Sequence, residues 1–100
     1  MTKETVMKVV SEGFDAREIK CERIHDTFIV ESGKKKYYVS FYAISFSIVA
    51  GYVVDGEIEI ISTANFFYDD TDKVWFDDDS VLFVRPRMGS FVSYEMKPGM

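Results

Sequence analysis

Asp55-Gly56 stands between Tyr52-Val53-Val54 and Glu57-Ile58-Glu59-Ile60, and few dipeptides constrain a chain more tightly. Both residues of a two-residue hairpin loop need positive φ, which Asp tolerates and Gly adopts freely. The flanking runs are therefore predicted to fold back on each other as antiparallel strands. Alternation after the turn assigns Ile58 and Ile60 to the inside and Glu57 and Glu59 to water. Just before the hairpin, Ala50-Gly51 marks a bend or bulge.

Only one stretch has helical periodicity. Over residues 2–13, Thr2 can cap, Glu4 sits near the positive end of the dipole, and Gly13 suits a left-handed stop. Val6, Met7, Val9 and Val10 form its apolar stripe, with Lys3, Lys8 and Glu12 opposite. The rest favours strands, at residues 17–24, 27–31, 36–46, 52–54, 65–68, 74–76, 81–85 and 91–97, with turns at Ser32-Gly33 and residues 86–89. In the first of these, Ile19 and Cys21 share one face. Parallel strands would need crossover helices, and the chain has no second helical pattern. The expected fold is α+β: one N-terminal helix, then a mostly antiparallel β-meander of about six to seven short strands, as a curled sheet or partly closed barrel. One hundred residues hold one core, so residues 1–100 are read as a single domain.

The net charge of −5 is unevenly spread. Residues 1–36 carry eight basic and seven acidic side chains; residues 37–68 carry no Lys or Arg and three acids; residues 69–100 carry four basic and seven acidic. Nucleic acid and anionic membrane are therefore not expected as partners, because phosphate contacts need Lys and Arg. A basic protein partner is compatible with this charge. The lone Cys21 cannot form an intrachain disulfide, and the N-terminal residues lack the apolar core of a signal peptide. A cytoplasmic setting is expected.

The most distinctive segment lies at residues 69–79, where Asp69, Asp70, Asp72, Asp77, Asp78 and Asp79 bracket Val74-Trp75-Phe76. Trp75 is the only tryptophan. Carboxylates around an aromatic can steer and anchor a basic partner, and Asp is equally common in solvated turns for its local hydrogen bonding. Trp75 or Tyr68 would be the anchor. If Val74 and Phe76 belong to the core, alternation turns Trp75 outward. The segment is not an EF-hand: the central Gly is absent and Ser80 stands where the bidentate Glu belongs, so no metal site is assigned.

Other constellations carry less. His25-Asp26 could orient a histidine, but the pair reads as a polar turn and no catalytic residue is assigned. Lys34-Lys35-Lys36 precedes Tyr37-Tyr38-Val39-Ser40-Phe41, an echo of RNA-binding sheets without their glycine or βαββαβ order; it reads as a basic turn entering a core strand. Arg85-Pro86-Arg87 is placed to pair with residues 77–79. Ser47-Ile48-Val49-Ala50-Gly51 resembles the hairpin motif of cystatins, with serine where that motif has glutamine. The resemblance implies a helix ahead of an antiparallel sheet.

The functional expectation is a small, non-enzymatic, cofactor-free protein that binds another protein with a basic surface. It would act as a stoichiometric inhibitor or antagonist of the immunity, phage anti-defence or nucleic-acid-mimic kind. The alternative is a small-ligand module whose pocket is lined by Tyr37, Tyr42, Tyr52 and Phe66. A meander this short also leaves open edges, so homodimerisation through the aromatic strand at residues 65–68 is expected.

Overall fold

A computed structural model of the protein describes residues 1–97. One helix, α1 (Lys3–Ala16), precedes the strands β1 (Cys21–Ile24), β2 (Thr27–Ser32), β3 (Lys35–Phe41), β4 (Ser45–Val54), β5 (Glu57–Phe67), β6 (Thr71–Phe76), β7 (Val81–Pro86) and β8 (Val92–Glu95). Neighbours in each sheet follow chain order, β1-β2-β3-β4-β5 and β6-β7-β8, and every pair is antiparallel.

The fold is α+β, as expected, but the described strands form two open sheets of five and three rather than one curled meander or barrel. The break comes at the 3₁₀ turn Tyr68–Asp70. There Thr71 Oγ1 donates back to Phe67 O, while Tyr68 N–H donates to Ile44 O and its hydroxyl to Tyr42 O. These bonds fasten the turn to the first sheet and redirect the chain, so β6 starts a new sheet instead of pairing with β5.

Thr2 caps α1 as its sequence suggests, its hydroxyl accepting from Thr5 N–H. Val6, Val10 and Phe14, four residues apart, are fully buried. The helix runs past Gly13 to Ala16 because Gly13 is buried against the second sheet and serves no stop. A Cβ there would come within 2.2 Å of Phe76 Cδ2, so the glycine allows a close approach.

The core lies between the inner face of the five-stranded sheet, the helix and the inner face of the three-stranded sheet. Phe28, Val30, Tyr37, Val39, Phe41, Phe46 and Ile48 come from the first sheet, and Val74, Leu82, Val84 and Tyr94 from the second. Phe14 bridges the layers, edge-on to Phe28 at 6.0 Å and to Phe76 at 5.6 Å. Tyr37 and Tyr94 meet edge-on at 6.1 Å across the two sheets.

Four local expectations change. Residues 17–20 do not extend β1; Glu18 has φ +55° and Ile19 N–H donates to Phe14 O, closing the helix instead. Residues 36–46 are not one strand: Tyr42 N–H donates to Ser45 O around Ala43-Ile44, a reversal with no turn-type residue to announce it. The cystatin-like Ser47–Gly51 segment lies inside β4 and not in a hairpin loop, with Ile48 fully buried. Finally, Asp55-Gly56 forms the expected loop (φ +51° and +80°), but Ile58 and Ile60 face outward at 38% and 53% exposure. Their partners are Val53 and Gly51, on the face of β4 opposite Ile48 and Ala50. The register shift at Ala50-Gly51 is the expected bulge, and it leaves Ile61 unpaired.

Candidate functional site

β6 splits the acidic segment. Asp72 and Asp77 stand five residues apart along an extended strand, a separation of about 16 Å. The six carboxylates therefore form two groups at opposite ends of the second sheet.

Asp69 and Asp70 are exposed on the 3₁₀ turn, and Asp70 O accepts from Arg87 N–H at 2.7 Å. Asp72 faces Arg87, Oδ1 to Nε 3.7 Å; both are exposed, and such a pair is worth less than about 1 kcal/mol. A half-open cleft of about 250 Å³ lies between Asp70, Pro86, Arg87 and Met88. Arg87 thus pairs at this end, and the expected pairing of Arg85-Pro86-Arg87 with residues 77–79 does not form.

At the other end, the β6–β7 loop is tightly built. Asp77 Oδ1 accepts from Asp79 N–H at 2.9 Å and Val81 N–H at 3.0 Å, and Asp77 N–H donates to Val81 O. Ser80, at φ +61°, completes the reversal. Arg17 reaches from the end of α1 to donate through Nε and Nη2 to Asp77 O, its guanidinium 4.8 Å from the centre of the Phe76 ring. Asp77 is thus a structural cap. Asp78 and Asp79 stay exposed at the tip, with no ion-pair partner among the described residues.

Between the two acidic ends, Val74 is buried and Phe76 packs on the core, so Trp75 turns outward as alternation requires. It is half-buried there. Its ring stacks on Phe83, the cross-strand neighbour, at 5.0 Å and 10°, and Phe83 meets exposed Phe91 edge-on at 5.7 Å. Lys73 Nζ lies 4.9 Å and the Arg85 guanidinium 5.9 Å from the centre of the Trp75 ring. Two cations thus flank the Trp75 ring. Sequence reading missed Phe83 and Phe91, although the register follows once Trp75 faces out and β7 pairs beside it.

Tyr68 does not join this surface. It is 4% exposed and stacks on Phe46 at 5.8 Å, and burial raises its phenol above the ordinary value. The four aromatics expected to line a ligand pocket also part company: Tyr37 is core, Phe66 packs on Phe46, and Tyr42 and Tyr52 are exposed. His25 sits exposed in the β1–β2 turn at φ +52°, while Asp26 pairs with Lys3 at 2.8 Å.

Among the described residues no three His, Cys, Asp or Glu side chains are grouped to hold a metal ion, and no helix is long and apolar enough to cross a membrane. No family model, curated protein or solved structure matches the chain.

Proposed function

We propose that the protein works by binding another protein stoichiometrically, as an inhibitor or antagonist, and that the β6–β7 hairpin is its docking element. The observation that carries this reading is the rigid tip. Asp77 and Arg17 fix the loop from inside, so the Asp78 and Asp79 carboxylates are held in place before any partner arrives. Preorganised charge costs little ordering on binding and speeds encounter with a basic surface. The Trp75–Phe83–Phe91 cluster supplies an already packed apolar floor that runs from mid-sheet away from the tip, with Phe91, 57% exposed, as its outermost ring. The partner this geometry fits has a basic rim facing Asp78 and Asp79 and an apolar contact for Phe91.

The test is capture of a basic protein from the cytoplasm of the source organism, followed by association kinetics with the purified partner. Asp78→Asn/Asp79→Asn is expected to lower the association rate about tenfold at low salt and to flatten its salt dependence. Phe91→Ala is expected to raise the dissociation rate instead. Asp77 is left unchanged, because replacing it would disturb the loop itself. A partner bound equally well by wild type and both variants would overturn the assignment.

A further inference from the structure

We propose that β5 is the seam of a symmetric homodimer, in which two copies pair antiparallel over residues 61–67 about an axis at Ala64. Among the described residues, β5 is the outer strand of the five-stranded sheet and pairs on one side only, with β4. Two hydrogen bonds show which of its backbone groups are free. Tyr42 N–H donates to Ser45 O, and Val53 N–H donates to Lys34 O, so the odd-numbered residues of β4 turn toward β3. Alternation turns Phe46, Ile48 and Ala50 toward β5, where they bond Phe66, Ala64 and Ser62. Thr63, Asn65 and Phe67 then present their N–H and C=O groups to the open edge, with Ile61 beside them at the bulge.

Between the bulge at Ile61 and the end of β5, this edge carries neither charge nor proline. Residues 60–68 contain no Lys, Arg, Asp, Glu or Pro. The opposite edge of the same sheet, β1, has four residues and includes Glu22 and Arg23. An open strand edge within a run of nine uncharged residues is a template for another strand.

The pattern along β5 identifies that strand as a second copy, because it is matched about Ala64. In the antiparallel two-fold register, Thr63 lies opposite Asn65 of the second copy and Ile61 opposite its Phe67. Polar meets polar, and the two exposed apolar side chains, Ile61 at 52% and Phe67 at 48%, cover each other at both ends. The seam also has natural stops. The bulge ends it at Ile61, the 3₁₀ turn ends it after Phe67, and the acids Glu59 and Asp69 lie just outside, where like charges oppose further pairing. An isologous contact of this kind closes on two copies and gives one ten-stranded sheet. The acidic hairpin stays outside the seam.

The experiment is sedimentation equilibrium of the full chain across a concentration series reaching the high micromolar range, since a single strand pair buries less than a standard interface. The wild type is expected to show a monomer–dimer equilibrium. Thr63→Pro removes an N–H that faces the open edge, so the monomer loses no ladder bond while the dimer does. Asn65→Lys places two like charges beside the axis. Each variant is expected to raise the dissociation constant at least tenfold with an unchanged circular dichroism spectrum, and Asn65→Lys decides the matter should the proline variant not fold. A wild type that stays monomeric, one that grows beyond two copies, or a dimer indifferent to Asn65→Lys would each overturn the proposal. Asp78→Asn/Asp79→Asn should leave the dimer intact, which separates this result from the docking assignment.

Discussion

Trp75 in the three-stranded sheet and Ile61 in the five-stranded sheet are both apolar side chains outside the core, but their surroundings differ. Trp75 is covered by its own sheet: Phe83 on its ring, Lys73 and Arg85 above it, and a paired strand on its β7 side. Ile61 has an open backbone edge beside it and is 52% exposed. An outward apolar residue is therefore not in itself a sign of a missing partner. Both sheets have outer strands. β5 offers an edge with no charge over residues 60–68, which invites strand addition, whereas β6 carries Asp72 and Lys73 and its outward aromatic is already packed against β7. One face suits a copy of the chain, and the other suits a partner that must fit a shape already set.

That contrast requires the two sheets to fold as one unit. Leu82, fully buried in β7, tests this most severely. Leu82→Ala is expected to cost about 2–5 kcal/mol, a large share of the roughly 5–15 kcal/mol that holds a domain of this size. Because Trp75 is the only tryptophan and lies in the second sheet, its fluorescence reports that sheet, while far-ultraviolet dichroism reports both. The two melting curves should coincide and move down together. Separate transitions would show the three-stranded sheet to be an independent layer and break the comparison. Gly13→Ala is a smaller perturbation at the joint itself. Alanine favours helix by about 1 kcal/mol, but its Cβ would lie 2.2 Å and 2.4 Å from Phe76 ring carbons, and overpacking costs about 1–3 kcal/mol. A net loss of stability in denaturant titration is expected; a gain would mean that Phe76 moves aside freely and the helix holds the second sheet only loosely.

Local signals were legible where one residue type decides the backbone. Asp55-Gly56 gave its loop, Thr2 its cap, Ala50-Gly51 its bulge, and Val74-Trp75-Phe76 its alternation. What was hidden depends on distant partners. Gly13 reads as a helix stop, yet it is a glycine because Phe76, sixty-three residues later, presses on it. Ala43-Ile44 reverses the chain with no Gly, Pro, Asn or Asp, since Tyr68 N–H and hydroxyl, from another element, satisfy Ile44 O and Tyr42 O. The outward face of Ile58 and Ile60 follows from their register with Val53 and Gly51, which the hairpin's own alternation does not set. The acidic segment misled through contiguity: six aspartates in eleven residues look like one cluster, but an intervening strand carries them to opposite ends.

The smallest expected effect concerns the direct contact between the sheets. Tyr37 of the first and Tyr94 of the second are buried edge-on against each other, and loss of hydration raises both phenols above their ordinary value of 10.0; for Tyr37, Glu95 adds to the rise. In the folded protein each keeps its proton at a pH where the unfolded chain has begun to release it. Unfolding therefore sheds protons above about pH 10, and stability falls as pH rises through that range, whereas below it these two groups contribute no pH dependence. Denaturant midpoints measured from neutral to strongly alkaline pH should be level with respect to these groups and then decline. Tyr37→Phe/Tyr94→Phe should shrink that decline while leaving neutral stability nearly unchanged, because neither hydroxyl has a hydrogen-bond partner within the described protein to lose. An alkaline limb of the same steepness in the double variant would place the titrating groups elsewhere, with Tyr68, fastened within the first sheet, the next to replace. The comparison would then lose its meeting point between the two sheets, and Phe14 and Phe76 would remain as the contact that joins them.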